Sequence, residues 1–175
     1  MKRVVVIGTT GSGKSTFARQ LAQKIQADWI SLDQLSWMPD WQQRSRPEYQ
    51  ILLSEQLEKE AWVVDGNTRE SREMLWGMAD TVVWLNYSFW VNFNRLFFRT
   101  MQRIIRREEV FPGCVETFHS QFLKSDSILV WFFRTFWKRR RMYGEALNSQ
   151  HYPHLQILIF KHPRQARQFL VSLQK

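Results

Sequence analysis

Short, largely apolar runs alternate along the chain with longer stretches in which apolar residues recur every three or four positions. The runs are KRVVVIG (Lys2–Gly8), ADWISLD (Ala27–Asp33), AWVVDGN (Ala61–Asn67), ADTVVWLN (Ala79–Asn86) and LQILIF (Leu155–Phe160). Each is too short for a helix and rich in β-branched or aromatic residues, so each reads as a strand covered on both faces. Between the first two, Phe17, Leu21 and Ile25 stand at i, i+4 and i+8, which predicts a helix over KSTFARQLAQKI. Pro47 opens PEYQILLSEQLEKE, where Ile51, Leu52 and Leu57 give a partial apolar face, and HPRQARQFLVSL reads as a closing helix. Strands alternating with helices predict an α/β fold built on a mostly parallel sheet with helices on both faces. The 175 residues make one domain, with no internal repeat, low-complexity segment or Gly/Ser linker.

One stretch breaks the alternation. Ser88–Gln150 has no clear strand and is too long for a plain loop, so it is expected to be helical. Arg95, Arg99 and Arg103 recur every four residues and continue into Arg106 and Arg107, with Phe93, Phe97 and Ile104 roughly opposite. Farther on, Leu129, Phe132, Phe133 and Phe136 form an apolar face, away from Arg134, Lys138 and Arg141. Phe89–Arg141 holds eleven Lys and Arg against four acidic residues, most of a net charge of +9. Such a surplus points to a phosphate-bearing partner without choosing among nucleotide, nucleic acid and anionic lipid. The single cysteine, Cys114, excludes an internal disulfide and a cysteine metal cluster, so a reducing cytoplasm is the expected setting. VVVI is too short for a signal-peptide core, and no run approaches eighteen apolar residues.

The chemistry is densest where the first strand ends. Gly8, Thr9, Thr10, Gly11, Ser12, Gly13, Lys14 and Ser15 fit GxxxxGK[ST] at every fixed position, and Thr16 follows. A loop that wraps phosphates must turn its N–H groups inward, and glycine permits the dihedrals this requires. The following helix adds partial positive charge at its N-terminus. Lys14 can reach the β- and γ-phosphates, and the Ser15 hydroxyl can ligate Mg²⁺. Asp65 ends an apolar strand as a Walker B carboxylate does, a second candidate Mg²⁺ residue, although Asp-Gly is also a common turn pair. Asp33 ends the second run, where it could accept an acceptor's hydroxyl proton, assist the metal, or cap a helix. Trp37 and Trp41 follow it, as packed residues or as a stacking surface for a base.

The order of these pieces, including SLDQLSWMPDWQQR, WVVDGN, ADTVVWLN, the arginine-rich helix and KHPRQARQFL, resembles the bacterial DNA topology modulation proteins. These are relatives of adenylate kinase among the P-loop kinases, and the likeness spans nearly the whole chain. It implies a three-layer fold with a five-stranded parallel sheet of order 2-3-1-4-5. It also implies an acceptor-binding arm over residues 34–59 and a lid over residues 88–150. The implied activity is ATP-dependent transfer of the γ-phosphoryl group of Mg-ATP to a small acceptor, a nucleoside or nucleotide first. On this reading Gly8–Thr16 hold ATP, and Ser15 and Asp65 organise Mg²⁺. Lys14, Arg103 and Arg107 neutralise the moving group, and Asp33 handles the acceptor hydroxyl. Trp37, Arg44, Asn67 and Arg69 line the acceptor site. The chain departs from the adenylate kinases, which follow Asp-Gly with Phe-Pro-Arg, where Asn67, Thr68 and Arg69 stand here. Topology-modulation relatives usually carry tyrosine at the Thr68 position and an arginine near Leu75, a role open here to Arg69 or Arg72. The competing expectation is a nucleic-acid-associated ATPase whose basic, aromatic insert tracks a backbone. A third is a pair of basic helices lying on an anionic membrane.

Overall fold

The computed structural model describes residues 1–68, 70–106, 127–148 and 151–173, and the backbone alone of 109–111 and 114–115. Five strands form one parallel sheet: β1 (Arg3–Gly8), β2 (Asp28–Ser31), β3 (Trp62–Asp65), β4 (Thr81–Leu85) and β5 (Gln156–Phe160). Their spatial order is β2-β3-β1-β4-β5, the order 2-3-1-4-5 expected. The central strand alternates its side chains between two cores. Val5 and Ile7 pack with Ile30, Val64 and Trp76 on one face, and Val4 and Val6 with Leu21, Val63 and Ala166 on the other. Burying each such aliphatic side chain contributes about 1.5–3 kcal/mol, so the centre of the sheet anchors the fold. The strand register brings Ser31 and Val6 level with Asp65, and Gly8 level with Leu85, along one carboxyl edge.

The helices are α1 (Lys14–Ile25), α2 (Leu32–Ser36), α3 (Arg46–Leu57), α4 (Arg72–Met78), α5 (Phe89–Arg106), α6 (Ile128–Asn148) and α7 (Pro163–Ser172). Several differ from the expected pattern for identifiable reasons. The second strand stops at Ser31, because the Ser31 hydroxyl accepts the Gln34 N–H at 3.5 Å and starts α2. Asp33 therefore sits in the first turn of a helix, where a carboxylate is favoured, and not at a strand end. In α3 the inward residues are Leu53 and Leu57, while Ile51 is 60% exposed. The helix starts at Arg46, with the Ser45 hydroxyl donating to Glu48 at 2.7 Å. Helix α4 is seven residues long and buries only Leu75 and Trp76, too few positions to show a period. The fifth strand is covered on both faces only in part. It lies at the sheet edge, bonded to β4, with Ile157 and Ile159 39% and 45% exposed.

The long insert is helical as expected in α5 and α6, but it also holds a short antiparallel pair, Glu109–Phe111 with Cys114–Val115. Pairs of two or three residues leave no periodic trace. In α5 the arginine and phenylalanine stripes are separated by a third stripe, Asn92, Leu96 and Thr100, and this is the one that is buried. Leu96 joins Leu129, Phe132 and Phe136 in a core shared by α5 and α6.

The α3 face gives a direct check. Leu53→Ala is expected to cost about 2–5 kcal/mol of unfolding free energy. Ile51→Ala should stay within about 0.5 kcal/mol of wild type. Urea titration of both variants measures the contrast, and equal losses would contradict the orientation of α3.

Candidate functional site

The loop between β1 and α1 sits at the carboxyl edge of the sheet, where open parallel sheets bind ligands. Gly11 and Gly13 have φ of +80° and +84°, left-handed values that glycine adopts without steric cost. The turn is closed by the Ser12 N–H donating to the Thr9 carbonyl at 3.2 Å. Gly13 precedes α1 and carries no side chain to cap it, which leaves the first-turn amides of Lys14, Ser15 and Thr16 for an external acceptor. The Ser12 hydroxyl is buried with no protein partner. A buried polar orphan among inward-turned amides fits a chain of phosphate oxygens.

Helix α5 closes against the outside of this loop. The Asn92 amide donates to the Thr9 hydroxyl at 2.7 Å, and Arg95 Nη1 donates to the Ser12 carbonyl at 3.2 Å. The Arg95 guanidinium also lies 5.6 Å over the Tyr87 ring. A Cβ on Gly11 would stand 2.4 Å from the Asn92 carbonyl oxygen and 3.0 Å from Leu96 Cβ. Gly11 is thus required twice, for its dihedral and for the approach of α5. Arg95, expected in a lid stripe, braces the loop instead.

Lys14, the first residue of α1, reaches back across the loop, its Nζ donating to the Thr9 carbonyl at 3.3 Å. Burial lowers its pKa; the charges of Asp33 and Asp65 oppose that shift, and those of Arg139 and Arg99 add to it. Asp65 is completely buried at the end of β3. Its Oδ2 accepts the Trp29 indole N–H at 3.2 Å, while its Oδ1 has no protein partner. Burial raises the Asp65 pKa, against the Lys14 charge and the Ser15 hydroxyl. A buried carboxylate oxygen left open beside a serine hydroxyl fits Mg²⁺. Among the described residues no three His, Cys, Asp or Glu cluster, so the ion would draw its remaining ligands from phosphate and water.

Around this centre stand residues from α4 and α6. Arg72 Nη2 lies 3.2 Å from the Met142 sulfur, and its guanidinium 5.6 Å over the Trp76 ring. Burial raises the Tyr143 pKa, which Arg139 and Arg72 counteract. Arg99, Arg139, Arg72 and Tyr143 are the residues that sequence reasoning missed or left undecided. Arg99 and Arg139 lay inside recognised arginine runs, but nothing in one sequence marks which helix turn faces the loop. Of the residues expected there, Asn67 follows the strand that carries Asp65, and both polar atoms of its amide are buried without a partner. Trp37 and Trp41 meet edge to face at 5.7 Å. Arg44 ties the arm to the end of α2, its Nε donating to the Leu35 carbonyl at 3.0 Å. Arg103 is partly buried on α5, two turns beyond Arg95. Arg69 and Arg107 lie outside the described residues.

No protein-family model and no curated protein sequence matches the chain. Solved structures do. A shikimate kinase from Bacteroides thetaiotaomicron superposes with a TM-score of 0.55 at 20% identity, over 99% of this chain and 96% of that one. The fold is that of this kinase structure. A shikimate kinase from Acinetobacter baumannii in complex with shikimate gives a TM-score of 0.60 at 14% identity, over 99% and 90%. A gluconokinase from Sinorhizobium meliloti gives 0.51 at 17%, over 98% and 93%. The likeness of fold extends over almost the whole chain.

Gly11→Ala is expected to destabilise the protein by about 1–3 kcal/mol in chemical unfolding, from backbone strain and the clash with Asn92. Asp65→Asn is expected to raise the unfolding midpoint of the nucleotide-free protein at neutral pH. Asp65 ionises less readily folded than unfolded, so its stabilising contribution is complete in acid and is lost as pH rises through its raised native value. The gap between Asp65→Asn and wild type should therefore close as pH falls below that value, which thermal melts across the acid range would record.

Proposed function

We propose that the protein is an ATP-dependent phosphotransferase that moves the γ-phosphoryl group of Mg-ATP to a hydroxyl of a small acceptor. The observation that carries this reading is the open Asp65 Oδ1, buried beside the Ser15 hydroxyl and within the field of Lys14 and Asp33. An ordinary structural carboxylate would have its oxygens satisfied. The amides of Gly8–Thr16 hold the phosphates, and Ser15 and Asp65 hold Mg²⁺. Held there by Ser15 and Asp65, Mg²⁺ would offset the negative charge of the phosphates. Asp33 orients the acceptor and takes its hydroxyl proton as the new O–P bond forms and the β–γ bridging bond breaks, leaving ADP. Lys14, Arg99 and Arg139 stabilise the charge that shifts toward the leaving oxygen. Arg103 and Arg107, the arginines favoured from the sequence, are assigned to the phosphates as well.

The acceptor is assigned to Trp37, Arg44, Asn67 and Arg69, the residues expected from the sequence. The buried, unpartnered amide of Asn67 suits a polar acceptor that supplies both a donor and an acceptor group. Nucleosides and nucleotides remain the first class, as the resemblance to adenylate-kinase relatives implies. The similar structures named for shikimate and gluconate extend the class to small polyhydroxylated acids. The nucleic-acid reading ranks second, because Arg95, Arg99 and Arg139 turn toward the loop and Lys14 and leave the backbone track incomplete. The topology label rests on the motifs alone.

A screen of nucleosides, nucleotides and polyhydroxy acids for acceptor-stimulated ADP release with Mg-ATP tests the reading. The best acceptor should raise turnover well above its basal level, and Lys14→Ala should lower that turnover by at least about 10³-fold with an unchanged circular dichroism spectrum. Phosphoryl transfer that survives Lys14→Ala, or failure of Mg-ATP to bind in calorimetry, would overturn it.

A further inference from the structure

The α5–α6 pair exposes far more apolar surface than its own core requires. Among the described residues that core buries Leu96, Leu129, Phe132 and Phe136, with Phe89, Phe93 and Ile128 packed against it. Yet Trp90, Phe98 and Ile105 on α5 are 68%, 69% and 75% exposed, and Phe133 and Trp137 on α6 are 54% and 63% exposed. These side chains are not scattered. Phe89 touches the rings of Trp90, Phe133 and Trp137 at 5.3, 5.7 and 6.3 Å, which joins the two helices. Along α5, Phe98, Met101 and Ile105 line one hollow. From Trp90 to Ile105 the strip runs ~22 Å along a straight helix. An exposed apolar strip of this length calls for a partner.

The charge around the strip selects the partner. The two helices hold nine Lys and Arg and one acidic residue, Glu145. Arg95, Arg99 and Arg139 act on the phosphate-binding loop and Lys14. The others include Arg140, which shares a hollow with Trp90 and Trp137, and the exposed Lys138 and Arg141. We propose that this face is a docking surface for an anionic lipid bilayer. In that arrangement α5 and α6 lie in the interface plane. Trp90, Trp137, Phe133, Phe98 and Ile105 enter the headgroup–acyl boundary, and Lys138, Arg140 and Arg141 meet the lipid phosphates. Among the described residues no helix is long and apolar enough to cross a membrane, so attachment is peripheral. A second copy fits less well, since a two-fold contact would set one cationic rim against another. A nucleic acid also fits less well, because Met101 and Ile105 offer no ring for base stacking.

The experiment is flotation of the full chain with mixed phosphatidylglycerol–phosphatidylcholine vesicles and with phosphatidylcholine vesicles alone. The expected result is capture by the anionic vesicles, at least about tenfold weaker on the neutral ones. Two independent pairs of exposed substitutions, Trp90→Ser with Trp137→Ser and Phe98→Ser with Ile105→Ser, should each reduce capture about tenfold. Circular dichroism and Mg-ATP binding should match wild type; either pair suffices if the other fails to fold. Lys138→Glu with Arg141→Glu should likewise release the protein from anionic vesicles. The proposal is overturned if anionic vesicles capture nothing, or if both apolar pairs leave capture unchanged. It is also overturned if light scattering shows a dimer that the apolar pairs dissolve. It fails equally if the apolar pairs abolish binding to duplex DNA while vesicle capture persists. None of these readings depends on phosphoryl transfer, so the outcome stands whether or not an acceptor is found.

Discussion

A carbonyl oxygen of α5 occupies the space where a side chain on Gly11 would go. The phosphate-binding loop keeps its shape through that contact as much as through its own dihedrals. Its inner wall is a turn of positive-φ glycines, and its outer wall is the backbone and side chains of Asn92, Arg95 and Leu96. Inward-facing amides repel one another when no anion is present, so a bare loop of this kind tends to open. Here the hydrogen bond from Asn92 to Thr9 and that from Arg95 to Ser12 hold it in place. The loop is thereby organised before any nucleotide arrives, which lowers the ordering cost of binding.

The same edge of the sheet concentrates unfavourable electrostatics. A carboxylate is buried at the end of β3, and an ammonium group is partly buried at the start of α1. Each has its charged form disfavoured by burial, and each only partly offsets the other. Ser12 and Asn67 add buried polar atoms with no protein partner. A fold selected for stability alone would fill such positions with apolar side chains. Under the proposed function these groups gain their partners when phosphate, metal and acceptor enter, so the free energy withheld from folding becomes available for binding.

Much of this was legible in the chain. The three inner strands showed themselves because a strand covered on both faces must be continuously apolar, and Val4–Ile7, Trp62–Val64 and Val82–Leu85 are. The loop was legible because its chemistry dictates residue type at every fixed position. Strand β5 was legible as a strand but not as an edge, since Ile157 and Ile159 look the same in either place. Asp33 was found but misplaced by one element, because a serine that ends a strand and a serine that caps a helix have the same letter. The bracing of the loop by Asn92 and Arg95 was hidden because it spans 83 positions, and no local pattern reports contacts at that range. For the same reason Arg99 and Arg139 could be counted among the arginines of the insert but not distinguished from Arg103 and Arg107.

Because two side chains bolt α5 to the loop, this helix is a fixed post. A rigid swing of α5 would tear the bonds from Asn92 and Arg95, so whatever travels to enclose a nucleotide must pivot elsewhere, leaving α5 as the stationary wall. A load on its outer surface would then reach the Gly11 turn directly, with no hinge between to absorb it.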